Sequence, residues 1–160
     1  MARAALLAQV PIPEANVHRM RGELDPARAA REYERELVEA FGLGEGEPPR
    51  LDLVLLGLGD DGHTASLFPG TAALAEGERL VAANHVPRMG AWRLTLTYPV
   101  LDAARAVLFL VSGALKAERV ADVLERGADL PAARVRPGDG ELLWLLDAAA
   151  AAALARPPRS

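Results

Sequence analysis

The spacing of apolar residues changes several times along this chain, and each change predicts a different element. Residues 51–56, Leu-Asp-Leu-Val-Leu-Leu, are almost continuously apolar. That is the signature of a central parallel strand buried on both faces. Residues 106–111 read as another buried strand, and residues 141–146 as a last one. Residues 92–98 alternate instead. Trp92, Leu94, Leu96 and Tyr98 share one face, while Arg93, Thr95 and Thr97 share the other. Residues 79–86 form a further candidate strand.

Helical spacing fills the intervals. Asp25 is placed as an N-cap with Pro26 at the first helical position. Ala30, Tyr33, Leu37 and Phe41 then follow on one face, until Gly42, Gly44, Gly46, Pro48 and Pro49 end the helix. A second helix begins after Ser112-Gly113 and places Ala117, Val120, Ala121 and Leu124 together. Residues 2–9 read as the end of a helix, residues 11–23 as a proline-punctuated loop, and Asp147 as the cap of an alanine-rich helix. A short helical piece is expected from Thr64, stopped by Pro69-Gly70, and residues 156–160 are expected to fray. No internal repeat is present.

Strands alternating with helices predict an α/β fold with an open, mostly parallel sheet flanked by helices. In such sheets ligands bind beyond the carboxyl ends of the strands. That rule points to the loop after Leu56 and the turn after Val111. A chain of 160 residues, 51% apolar, is sufficient for one domain with a real core.

Charge and composition narrow the function. The net charge of −4, with scattered basic residues, argues against a nucleic-acid partner. There is no cysteine, hence no disulfide frame and no thiolate chemistry, which fits a reducing cytoplasm. No apolar run is long enough to span a bilayer, so no membrane partner is expected. The first ten residues resemble a signal peptide only weakly, lacking an apolar core segment and soon meeting Pro11 and Pro13.

The chemistry concentrates in residues 57–69, Gly-Leu-Gly-Asp-Asp-Gly-His-Thr-Ala-Ser-Leu-Phe-Pro. Gly57, Gly59 and Gly62 allow sharp turns, positive φ and close approach of a ligand to the main chain. Histidine is the natural general base near neutral pH, and a carboxylate such as Asp61 can fix the tautomer of His63. The N–H groups of a helix beginning at Thr64 would favour an anion. The plain alternative is a strand-to-helix turn with an incidental solvated histidine. Metal binding is the poorer reading, because His18, His63 and His85 are widely spaced and no cysteine ligand exists.

At these residues the chain resembles the 6-phosphogluconolactonases, of the glucosamine/galactosamine-6-phosphate isomerase superfamily, whose hallmark looks like Gly-x-Gly-x-Asp-Gly-His-Thr-Ala-Ser-Leu-Phe-Pro. The likeness continues through Ile12-Pro13-Glu14-Ala15-Asn16-Val17-His18, Arg93-Leu94-Thr95-Leu96-Thr97 and Val111-Ser112-Gly113-Ala114-Leu115-Lys116-Ala117. Leu130-Pro131-Ala132 and Trp144-Leu145-Leu146-Asp147 extend it. The resemblance implies a Rossmann-like fold and hydrolysis of 6-phospho-D-glucono-1,5-lactone to 6-phosphogluconate, without metal or organic cofactor, in the oxidative pentose phosphate pathway. It implies His63 as the base that activates water and Asp61 as its orienting carboxylate. Gly59 and Gly62 would lie against substrate, and Lys116 and Arg93 would hold the phosphate or neighbouring oxygens.

Taken on physics alone, Lys116 stands in the first turn of its expected helix. There the helix dipole disfavours a cation by about 0.3–1 kcal/mol unless an anion is bound. A lysine swinging into solvent is the equal alternative. Arg93 could be a surface charge or point into the cleft. Asp60 fills the motif's variable place and stays outside the catalytic set. Ser66 could touch substrate or satisfy local backbone groups.

The sequence departs from the family pattern at its beginning. The family carries additional chain there, with a first strand, a Gly-Gly-Ser-Thr-type phosphate loop and an Asp-Glu-Arg segment, and neither motif occurs here. Residues 1–160 are therefore expected to form a single domain equivalent to the C-terminal portion of such a lactonase. A fragment or mis-called gene start, a separately encoded missing piece and a natural truncation that has lost activity all fit that departure. The consequences expected are exposed apolar surface, an incomplete phosphate cradle and weak hydrolysis by this chain alone.

Three rival functions are weighed. A glucosamine-6-phosphate deaminase resembles the same core, but its motif continues Ile-Ala-Phe-Asn-Glu-Pro. Here Thr64-Ala65-Ser66-Leu67-Phe68-Pro69 offers no glutamate. A non-catalytic sugar-phosphate binding module is the second rival. A Rossmann dehydrogenase fits the three glycines but leaves Asp61-Gly62-His63 unexplained, and no ribose-binding acid follows.

Overall fold

The computed structural model of the chain describes residues 2–155. The expected fraying of residues 156–160 lies outside the described residues. At the amino end a short helix α1 (Ala2–Ala5) is followed by a 3-10 turn at Leu7–Gln9. Helix α2 (Pro26–Phe41) starts as its sequence demands. The Asp25 carboxylate accepts a hydrogen bond from the Arg28 N–H at 2.9 Å, and Pro26 occupies the first turn. Its apolar stripe buries Ala30 and Leu37 and half-buries Tyr33. Phe41 ends the helix exposed, against the expectation that it joins the buried face.

The β1 (Val54–Leu56), β4 (Ala106–Val111) and β5 (Glu141–Leu146) strands form one parallel sheet in the order β1-β4-β5. The expected mostly parallel α/β arrangement is thus observed. The β1 strand is shorter than the apolar run that announced it, because its pairing begins at Val54↔Val107. Among the described residues it lies at the edge of this sheet rather than at its centre, with β4 between it and β5. The covered face carries Val54, Leu56, Val107, Phe109 and Val111, and Phe109 stacks flat on its register partner Trp144 with centroids 4.0 Å apart. Helices α3 (Tyr98–Asp102), α4 (Ala117–Leu124) and α5 (Pro131–Arg134) supply Leu101, Val120 and Ala132 to the same core. Burying each large side chain here contributes about 1.5–3 kcal/mol.

The opposite face of this sheet is bare. Leu55, Leu110, Leu143 and Leu145 are between 46% and 61% exposed. The near-continuous leucine pattern is the kind that parallel sheets use when both faces are covered. Among the described residues only one face is.

The β2 (Val81–Val86) and β3 (Ala91–Leu96) strands form a separate antiparallel hairpin, in register from Val81↔Leu96 to Val86↔Ala91. Helix α2 packs on it through Ala30, Leu37, Leu80, Val81 and Val100. Leu51 and Leu96 touch both this cluster and the core of the parallel sheet, joining the two. The face of β3 expected to be polar is solvated at Arg93 but not beyond it. Thr95 and Thr97 are buried, while Trp92 is exposed. Their hydroxyls bond inward: Thr97 Oγ1 donates to Arg79 O at 2.6 Å and Thr95 Oγ1 to Leu96 O at 2.9 Å.

Two expected helices are turns instead. Residues 64–67 make a tight reversal with a Thr64↔Leu67 bridge and Ala65 at φ 49°. Residues 148–153 form successive turns, although Asp147 does cap them, accepting the Ala150 N–H at 2.7 Å. No helix of the described residues is long and apolar enough to cross a membrane.

Candidate active site

The β1 and β4 strands are neighbours, so the loops leaving their carboxyl ends meet. The loop after Leu56 folds onto itself. Thr64 Oγ1 donates to Gly57 O at 2.9 Å, and the Gly59 N–H donates to His63 O at 2.8 Å. Two of its glycines are compulsory. A Cβ on Gly59 would stand 1.9 Å from His63 Nδ1, so the imidazole lies directly on that residue's backbone. Gly62 has φ 83°, and a Cβ there would meet Leu130 Cδ2 at 2.8 Å. Its carbonyl accepts the Ala132 N–H at 3.0 Å, which ties the loop to α5. Gly57 has neither constraint.

The hairpin grips the other half of this loop. Asn84, buried on β2, donates through Nδ2 to Ser66 O at 2.8 Å and to Thr71 Oγ1 at 2.9 Å. Thr95 Oγ1 accepts the Ser66 N–H at 3.2 Å. The helix N-terminus expected to favour an anion at residues 64–66 is therefore absent. The segment reverses direction through left-handed Ala65, at a cost of about 1–2 kcal/mol, and the Ser66 N–H is committed to the hairpin.

At the centre, His63 Nδ1 lies 2.6 Å from Asp61 Oδ1, and the His63 backbone N–H donates to the same oxygen at 3.1 Å. Burial works to raise the Asp61 carboxyl. The hydrogen bonds from the His63 ring and backbone, with the His63 and Arg88 charges, outweigh it and hold the group below the ordinary carboxylate range. An ionised Asp61 can only accept, so Nδ1 carries the proton and Nε2 is left with the lone pair.

Lys116 ends the 3-10 turn Ala114–Lys116 that leads from β4 into α4. Asp147 holds the start of this turn, accepting the Gly113 N–H at 3.0 Å. The Lys116 ammonium pairs with the Asp60 carboxylate across the cleft. That hydrogen bond and charge hold Asp60 below its usual range. His63, Lys116, Gly57, Gly59 and Ala65 line one cleft of about 360 Å³.

Of the residues singled out from sequence, Gly59, His63 and Lys116 line this cleft, Asp61 joins them through its bond to His63, and Gly62 packs on Leu130 instead. Arg93 does not line this cleft. It borders a separate depression of about 280 Å³ with Met20, Ser66 and Trp92. Among the described residues no group of three or more His, Cys, Asp or Glu side chains converges as a metal site. Two neighbours of the imidazole received no role from sequence. Phe68 stacks on it with centroids 4.0 Å apart, and Arg88 Nη1 lies 3.1 Å from Asp61 Oδ2. Nothing in the sequence separates Arg88 from the chain's other arginines.

Comparison with known proteins gives the chain's family. Residues 1–144 match the family described as glucosamine-6-phosphate isomerases/6-phosphogluconolactonase. A 6-phosphogluconolactonase of Synechocystis sp. is 49% identical over 151 residues, covering 92% of this chain and 62% of its own length. The human 6-phosphogluconolactonase is 44% identical, covering 97% of this chain and 60% of its own length. The solved structure of the Trypanosoma cruzi 6-phosphogluconolactonase superposes with a TM-score of 0.81 at 33% identity, covering 97% of this chain and 65% of its own. The chain therefore spans about three fifths of the curated relatives it matches. With nine tenths of its residues inside the family match and its histidine loop at the expected strand end, the chain belongs to the glucosamine-6-phosphate isomerase/6-phosphogluconolactonase family.

Proposed function

We propose that this site hydrolyses 6-phospho-D-glucono-1,5-lactone to 6-phosphogluconate. The observation that carries the reading is the His63–Asp61 hydrogen bond of 2.6 Å in a cleft shared with Lys116. In the reaction, His63 Nε2 takes a proton from water as the water oxygen attacks the lactone carbonyl carbon. Asp61 holds the imidazolium that forms. The tetrahedral intermediate then collapses, the bond from the carbonyl carbon to the ring oxygen breaks, and the imidazolium returns its proton to that oxygen. Lys116, now paired with Asp60, is the cation available to an incoming phosphate or developing oxyanion. Gly59 leaves room for the imidazole, whereas the space over Gly62 is filled by Leu130, so Gly62 serves the turn rather than the substrate. Arg93 is assigned to more distant substrate oxygens, which its separate depression makes the weakest of these roles.

The relatives named as 6-phosphogluconolactonases support the substrate. The lack of cysteine and the acidic balance support a cytoplasmic setting without nucleic-acid partners. The test measures lactone hydrolysis above the spontaneous rate for the chain and for His63→Ala. The expected loss is about 10²–10⁴-fold, with circular dichroism unchanged. Equal rates in both proteins refute the assignment, and ammonia release from glucosamine-6-phosphate would favour the deaminase instead.

A further inference from the structure

We propose that Arg88, on the turn joining β2 to β3, is a positioning residue for His63. It holds both groups against which the imidazole rests. The Asp61 carboxylate has two oxygens with separate tasks. Oδ1 accepts from the His63 ring at 2.6 Å and from the His63 backbone at 3.1 Å, while Oδ2 faces Arg88 Nη1 at 3.1 Å. The same guanidinium lies over the Phe68 ring, 5.2 Å from its centroid. Phe68 in turn stacks on the imidazole at 4.0 Å and 24°. One cation therefore touches the carboxylate and the aromatic plate that together fix the ring. A carboxylate bonded through one oxygen can rotate about its last torsion, whereas one bonded through both keeps its plane.

The turn that presents Arg88 is itself set. Pro87–Met89 is a single 3-10 turn closed by the Gly90 N–H donating to Pro87 O at 3.0 Å. Its strands are those whose Asn84 and Thr95 grip residues 66–71. The hairpin thus reaches the loop at two places, through buried hydrogen bonds and through Arg88. The Arg88 side chain is 56% exposed, so its pair with Asp61 adds little to stability. Removing it leaves the fold intact and exposes its effect on the site.

The charged groups around the His63 imidazole are Asp61 on its own loop, Arg88 from the hairpin, and the Asp60–Lys116 pair across the cleft. Of these, Arg88 touches both the Asp61 carboxylate and the Phe68 plate, so its removal loosens the seat of the ring and leaves the other charges in place.

The inference rests on His63 as the reacting base, so the experiment reads the imidazole separately from turnover. Arg88→Met keeps an apolar stem over Phe68 but removes the charge, and Arg88→Lys keeps the charge without the planar fork. Proton NMR follows the His63 imidazole, assigned with His63→Gln, while lactone hydrolysis is measured on the same proteins. In Arg88→Met the hydrogen-bonded Nδ1–H signal of His63 weakens and broadens, and kcat falls about tenfold with little change in KM. Arg88→Lys restores part of the signal and part of kcat. An unchanged signal in a folded Arg88→Met chain makes Arg88 a surface charge only and overturns the proposal. A weakened signal without lactone hydrolysis by any of the proteins keeps the positioning role and rejects the lactonase reading. Arg88→Gln provides the same comparison should the methionine variant not fold.

Discussion

The two ends of the parallel sheet are built from similar parts. At the amino end Gly140 packs so closely that a Cβ would stand 2.2 Å from Ala104 O, and Asp52 pairs with Arg105 at 3.0 Å. At the carboxyl end Gly59 is packed under His63, and Asp61 bonds that imidazole at 2.6 Å. What differs is burial and the partner's chemistry. The Asp52 and Arg105 side chains are 93% and 58% exposed, whereas Asp61 and His63 are 23% and 25% exposed. An exposed guanidinium pair is screened by water and cannot exchange protons near neutral pH. A half-buried imidazole can, and its carboxylate feels a weaker solvent. A close-packed glycine and an acid beside a base therefore mean little until the fold decides which end is sheltered.

Mutations along and across the sheet break or sharpen this contrast, starting with one that ignores it. Phe109 lies within β4, completely buried on Trp144. Phe109→Ala should cost about 3–5 kcal/mol, read by urea denaturation, and weaken both ends together. Gly59→Ala and Gly140→Ala should then separate the ends. Gly59→Ala drives the imidazole from its seat, and turnover should fall about a hundredfold. Gly140→Ala should lower stability by about 1–3 kcal/mol while the folded chain keeps its rate. Equal activity losses in the two variants would erase the distinction.

Tyr98 offers a smaller, pH-dependent probe of the support beneath the site. Its hydroxyl donates to Pro131 O at 3.0 Å, one residue from the Leu130 that packs against Gly62. Burial pushes the phenol up to about 12, with the Asp102 and Asp129 charges adding and Arg134 opposing. A folded pKa above the unfolded value of about 10 favours the folded state while the phenol is protonated. That contribution is complete below pH ~10 and is lost as pH rises towards about 12. Phenolate absorbance should show one tyrosine titrating there, and Tyr98→Phe should remove that late step. The least effect is expected from Asp52→Ala, within about 0.5 kcal/mol and without change in turnover. A large loss there would show the amino end to be more than surface.

Much of this architecture was legible in the order of residues. The Asp25 cap, the β4 and β5 strands and the loop at the end of β1 follow from period and punctuation alone. Local rules failed where tertiary contacts dominate. Residues 64–67 have the composition of a helix start, yet Ser66 and Thr71 are bonded to Thr95 and Asn84 of the hairpin, and the chain reverses at Ala65. Thr95 and Thr97 alternate like a solvent face but are buried with their hydroxyls satisfied. The apolar run at residues 51–56 reads as a central strand because its leucines point both ways; among the described residues β1 pairs with β4 alone and Leu55 is exposed, in line with the apolar surface expected from the departure at the chain's beginning.

The sequence by itself determined most of the elements, the glycine-rich turn and the pairing of Asp61 with His63, because each depends on neighbours a few residues away. Only the tertiary structure decided which distant side chains join them. The β1–β4 adjacency brings Lys116 to Asp60, and the β2–β3 turn brings Arg88 to Asp61 while Arg93, on the following strand, borders another depression. Charge and spacing do not encode such meetings directly. They follow from strand order and register, which are settled by how the whole chain buries its apolar faces.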